Sequence, residues 1–177
     1  DNYRVVRMAE DLIENAPQVN LSAGTQSGII ATAHVFKALS LGNIALVFEQ
    51  APVTTDLSGA APFEPRQEVL QEAITLLNDA LSTLDSTAPS GDFASNIFSI
   101  AVSDNATPIE GLRNTIHAYR ARLNLLAGND QAAIDAANQV DPAIQTTFSY
   151  NDQSQNPYWQ ELVQSGDLAL RDSLGSD

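Results

Sequence analysis

The chain contains no cysteine, which removes both a disulfide framework and a thiolate metal site and leaves the redox compartment open. Positive charge is scarce: 8 basic residues stand against 22 acidic ones, giving a formal charge of −14, and Lys37 is the only lysine. That balance argues against nucleic acid or an anionic membrane surface as a partner, while basic ligands stay possible. The excess of Asp over Glu, with almost no lysine, fits a protein kept soluble in high salt by a hydrated acidic surface. No uninterrupted apolar run reaches the ~18 residues of a membrane span. The chain opens on DNYRVV rather than on a basic, then apolar, signal segment, and the expectation is a piece of something longer. A glycine-rich phosphate loop and a nucleophile elbow are missing, and Asn151-Asp152-Gln153 lacks the alternating oxygens of a calcium loop.

Apolar residues make up 44% of the 177 positions, enough for the core of one folded helical domain spanning residues 1–177. The chain is organised around Gly111 to Val140. There Leu112, Ile116, Tyr119, Leu123 and Leu126 recur every three or four residues and form one stripe of a helix, with Ala118, Ala121 and Leu125 as a second stripe beside it. Two adjoining stripes predict a central helix buried against more than one neighbour. Gly128 stops it, Asn129 or Asp130 can cap a return helix, and Ala132, Ala133, Ile134, Ala136, Ala137 and Val140 line that return. The product is an antiparallel hairpin of tetratricopeptide-like spacing, which needs stacked partners to bury its faces.

Those partners are visible in order. Val5, Met8, Ala9, Leu12, Ile13 and Ala16 predict a first helix ending at Pro17, followed by a Ser/Thr/Asn/Gly-rich loop from Gln18 to Gly28. Ile29 to Phe48 is apolar nearly all round and predicts a buried helix, with Gly42 kept for a close helix crossing. The proline-rich Ala51 to Pro65 connection is a surface loop. A third helix opens at Pro65 with the stripe Val69, Leu70, Ala73, Leu76, Leu77, Ala80, Leu81 and Leu84. Asp85 to Thr107 reads as a loop with one short turn packed beneath it through Phe93, Ile97, Phe98, Ile100 and Val102. Beyond Pro142 lies a polar, aromatic-tipped loop and a weak helix near Tyr158 to Gln164. The predicted fold is all-α: about five main helices in antiparallel pairs joined by long loops.

Four segments, taken in order, carry a family resemblance. RVVRMAEDLIENA at Arg4 to Ala16 is similar to an early helix of that family, and Lys37-Ala38-Leu39 stands where it has Arg-Ala-Leu. Phe48 and Pro52 keep the spacing of its Phe-Gly-x-x-Pro turn, with Glu49 in place of the glycine. LNDAL at Leu77 to Leu81 is similar to its Leu-Glu-Glu-Ala helix, and Ala121, Arg122, Leu125, Gly128 and Ala133 match its Leu-Ala-Arg-x-x-Leu-x-x-Gly hairpin. The chain thus resembles part of a SusD/RagB-type nutrient-binding lipoprotein, a family built on tetratricopeptide-like helix pairs. The resemblance implies a surface-exposed, non-catalytic protein of the bacterial outer membrane that captures a glycan or other small nutrient. It also implies a TonB-dependent transporter as partner, no cofactor, and a membrane attachment only through a lipid anchor on an amino-terminal cysteine absent here.

The residues themselves offer little catalysis. His34 and His117 are the only histidines, each flanked by apolar helical residues, where a structural imidazole is the ordinary outcome. Glu10 with Glu14 and Glu68 with Glu72 have helical spacing, which on amphipathic helices means a solvated face rather than acid/base work. Tyr150, Tyr158 and Trp159 are the candidate ligand-binding residues, because flat aromatic faces stack on sugar rings and neighbouring Asn, Asp and Gln bond hydroxyls. Should they not bind, the Ala51 to Pro65 loop is the next place to look. The other reading is a tetratricopeptide-like adaptor holding a protein or peptide in a groove.

Overall fold

The computed structural model describes residues 2–56, 58–97, 100–102 and 106–148. Five α-helices make up most of them: α1 (Asn2–Asn15), α2 (Ala23–Val47), α3 (Arg66–Ser86), α4 (Pro108–Leu126) and α5 (Asp130–Ala137). Each packs chiefly on the next in sequence, so that α2 lies between α1 and α3. The chain is therefore all-α in class, as its periodicity predicts. Two short antiparallel ladders, which the periodicity does not predict, close the long connections. In the first, β1 (Gln50–Ala51) pairs with β2 (Glu64–Pro65); in the second, β3 (Ile100–Val102) pairs with β4 (Thr146–Phe148).

The core is where α2, α3 and α4 meet. Leu41, Leu70, Leu77, Leu84 and Ile116 are fully buried there, and the predicted α3 stripe faces it, joined by Ile74. Gly42 sits at a close crossing: a Cβ there would come within 2.8 Å of Leu123 Cδ2. Gly128 takes a φ of 78°, the left-handed value that ends α4. Its N–H bonds Leu125 O at 3.1 Å while Asn129 N–H reaches back to Asn124 O at 2.8 Å, which satisfies two carbonyls of the last turn. At the other end of α4, Thr107 and Glu110 form a reciprocal capping box.

Four expectations need correction. First, α2 starts at Ala23, within the predicted loop. Ser22 caps it through Thr25 N at 3.1 Å, and Ser27 Oγ donates its one proton to Thr87 O at 2.6 Å, with Thr83 O at 3.2 Å a weaker second acceptor, tying this first turn to the end of α3. Gly24 and Gly28 mark close approach rather than loop, since a Cβ on Gly28 would run into the Phe93 ring. Second, α1 buries Val6 and Ala9, whereas Met8 and Leu12 are exposed; α1 packs mainly on α2, so half of its apolar stripe faces an open groove.

Third, the second stripe of the hairpin is not buried. Ala118 and Leu125 are exposed on α4, and on α5 only Ala133 and Ala136 are buried while Ile134 faces out. Among the described residues α5 packs chiefly on α4, so Ala118, Leu125 and Ile134 stay exposed. Fourth, Glu10 does not belong to a solvated face: it turns inward to Lys37 at 3.0 Å. By length and composition α2 would pass for a membrane span, despite its polar interruptions. Yet thirteen of its residues are buried and its lysine is ion-paired, the surroundings of a core helix.

Candidate functional site

The site builds up from the end of α2. Phe48 leaves the helix with its N–H on Ile44 O at 3.0 Å, and Glu49 O accepts from Arg66 N at 2.7 Å. The β1 and β2 ladder then draws the two ends of the Ala51 to Pro65 connection together. Ala51 is buried and Val53 packs against the core, fixing the loop from below.

Side chains fix it from α1. Tyr3 Oη donates to Pro52 O at 3.1 Å. The Glu10 carboxylate accepts from Thr55 N at 3.1 Å and from Thr55 Oγ1, and holds Lys37 Nζ on its other side. One ionic group thus joins α1, α2 and the loop. Further along, Asp56 accepts from Ser58 N at 2.8 Å and Ser58 Oγ at 2.6 Å, and Gly59 closes the turn with a φ of 74°. A connection that reads as irregular is anchored at both ends and in the middle.

Three aromatic rings stand around it. Tyr3, Phe48 and Phe63 line a shallow depression of about 360 Å³ together with Gln50, Thr54 and Asp56. Phe48 and Phe63 are 57% and 68% exposed, an unusual state for large apolar rings in a folded chain. Exposed ring faces can stack on the apolar face of a sugar, and the amide, hydroxyl and carboxylate groups can bond its hydroxyls. Size is within the range of small-molecule sites.

The same groups are poor at proton transfer. Burial raises the Glu10 carboxyl, but the Thr55 hydrogen bonds and Lys37 outweigh it and hold the group below the usual carboxylate range. Asp56 is likewise lowered, by its bonds from Ser58. Both carboxylates are ionised acceptors at neutral pH and supply no general acid. Among the described residues no three His, Cys, Asp or Glu side chains converge to hold a metal ion.

The residues singled out from sequence are dispersed. Tyr150, Tyr158 and Trp159, with the helix expected near them, lie outside the described residues. His34 is on α2: burial lowers its imidazole, Asp79 opposes that and Lys37 adds to it, and Nδ1 is buried without a partner among the described residues. His117, on α4, is lowered by burial and by Arg120 and Arg113 against Asp85; its Nδ1 lies 3.3 Å from Arg120 Nη1. Glu68 is exposed and Glu72 half-buried on α3, as solvated positions. Sequence reasoning named the Ala51 to Pro65 loop only as a second choice and missed Tyr3 and Phe63. The available signal was two aromatics, Phe48 just before and Phe63 within the proline-rich connection; nothing in the spacing points to Tyr3. The chain matches no protein-family model, no curated protein and no solved structure.

Proposed function

We propose that this chain is a non-catalytic binding unit of SusD/RagB type, which captures a glycan or other small nutrient at the bacterial outer-membrane surface and passes it to a TonB-dependent transporter. One observation carries the proposal: Tyr3, Phe48 and Phe63 surround a depression on a loop anchored by Glu10, Lys37 and the β1 and β2 ladder. A ring platform held in place before the ligand arrives avoids much of the ordering cost of binding. The four resembling segments give secondary support, because they fall in order on α1, α2, α3 and the α4 and α5 hairpin. Packing of each helix on the next in sequence is compatible with a tetratricopeptide-like arrangement.

Glycan-array screening followed by product analysis of every hit tests this. Binding without turnover is expected, and detectable hydrolysis of any hit would contradict it. Trp159→Ala, outside the described site, is expected to leave affinity intact. If it abolishes binding while Phe63→Ala does not, the site belongs to the aromatic cluster of Tyr150, Tyr158 and Trp159 instead. The adaptor reading has one observation in its favour, the open groove where Met8, Leu12, Ile29 and Phe36 lie between α1 and α2. An amphipathic peptide bound by wild type and lost on Met8→Asp, with no glycan bound, would select it.

A further inference from the structure

Another cavity, of about 430 Å³, is walled by α2, α4 and the segment between Val140 and Thr147. Its walls are Val35, Phe36, Leu39, Leu112, Tyr119 and Ile144. Asn114 builds the outer wall: its Oδ1 accepts from Asp141 N at 2.8 Å and its Nδ2 donates to Asp141 O and Ile144 O at 3.1 and 3.2 Å. This one amide, reaching across 27 residues of sequence, holds the wall over α4 with both of its N–H donors engaged, leaving only the second lone pair of Oδ1 for a ligand.

The polar groups of the wall are neutral hydroxyls, one amide and one carboxylate. Thr115 Oγ1 donates to Gly111 O at 2.9 Å, so at the 2.9 Å contact between the two hydroxyls Thr146 is the donor, and Thr146 Oγ1 keeps acceptor capacity. Asp141 also lines the cavity, with Oδ1 accepting from Ala143 N at 2.9 Å. Among the described residues no Lys, Arg or His lines the cavity.

We propose that this cavity is a ligand site for a compact, apolar-bodied molecule carrying an alcohol or amine, distinct from the aromatic depression. The apolar walls take the body of the molecule. The hydroxyl of Thr146 and the carboxylate of Asp141 accept from its polar head. An anionic head would enter a site with no cation among the described residues and a resident carboxylate, in a chain of charge −14, so charge discriminates strongly against it. An oligosaccharide, hydroxylated on every edge, would leave most of its hydroxyls against apolar wall. The inference holds whether or not the depression binds a glycan.

The test is titration of the full chain with three matched probes, naphthalenemethanol, naphthylmethylamine and naphthoate, by calorimetry and ligand-observed NMR. The alcohol and the amine should bind, with naphthoate weaker by about tenfold or more. Ala118→Phe, at an exposed α4 position that lines the cavity, should reduce the alcohol's affinity by about tenfold or more by filling the space. Thr147→Phe, on the opposite wall, should do the same, whereas Ile134→Phe, exposed on α5 and outside the cavity, should change nothing. Equal binding of naphthoate and the alcohol, insensitivity to both filling variants, or failure of all three probes would each overturn the proposal. Trp159, the only tryptophan, separates one alternative: a red shift of its emission in Ala118→Phe, with no probe bound by wild type, would mean that residues 149–177 fill the cavity, and would overturn the ligand reading too.

Discussion

Lys37, the only lysine in the chain, reaches from α2 to Glu10 on α1 at 3.0 Å with its side chain 8% exposed. A group so placed is costly to leave unpaired. Lys37→Met should therefore destabilise the chain by about 2 kcal/mol, below the full cost of breaking a buried pair because Glu10 keeps its bonds from Thr55. Urea unfolding checks it, and the Glu10→Gln/Lys37→Met double variant should recover part of the loss. A single variant as stable as wild type would show that the pair is ornamental. Titration adds a second prediction. Burial holds the His34 imidazole below its ordinary 6.5 in the folded chain, so the unfolded state takes up protons first as pH falls. The resulting contribution is complete above about pH 6.5 and is lost as pH drops through the folded-state value. Glu10, lowered from 4.5, adds a further loss only at more acid pH. Urea midpoints should fall between pH 8 and pH 5.5 in wild type and less steeply in His34→Gln.

At the scale of the element, what could be read in advance follows from how each helix is packed. Helix α3 has neighbours on one face and solvent on the other, so its stripe of Val69, Leu70, Ala73, Leu77 and Leu84 is both visible in sequence and buried in space. The start of α2 was hidden because Gly24, Thr25, Ser27 and Gly28 carry turn chemistry in isolation. In the fold their smallness admits Ser90 and Phe93, and their hydroxyls bond across to α3 and to the turn after it. The second stripe of α4 was over-read: Ala118 and Leu125 are apolar at helical spacing, yet spacing names a face without supplying a neighbour. The candidate site was legible as a loop but not as a platform, since the anchoring pairs join residues some 45 positions apart. Gly28→Ala should cost about 1 to 3 kcal/mol by overpacking, with Phe93→Leu relieving part of it in a double-mutant cycle. Additive effects would deny the contact. Leu123→Asp, which puts a carboxylate at a position 3% exposed against Gly42, should cost about 4 kcal/mol or more, and an unchanged melting temperature would place the wrong face of α4 inside.

For the molecule as a whole, charge and surface set the behaviour. Only three ion pairs occur among the described residues against a net charge of −14, so acidic repulsion is largely uncompensated. Melting temperature should accordingly rise from dilute buffer into molar KCl by screening alone, and a flat response would remove the high-salt reading. The same acidic surface leaves one depression rimmed by exposed rings, where Tyr3, Phe48 and Phe63 meet the anchored loop. Stacking on such rings is insensitive to salt, which separates it from adventitious charge attraction. The most direct measurement is calorimetric titration of the strongest glycan-array hit into wild type and Phe63→Ala at high ionic strength. The account predicts saturable binding by wild type, weakened about tenfold, or about 1.4 kcal/mol, by removal of the exposed ring. Equal affinity of the two proteins would contradict it.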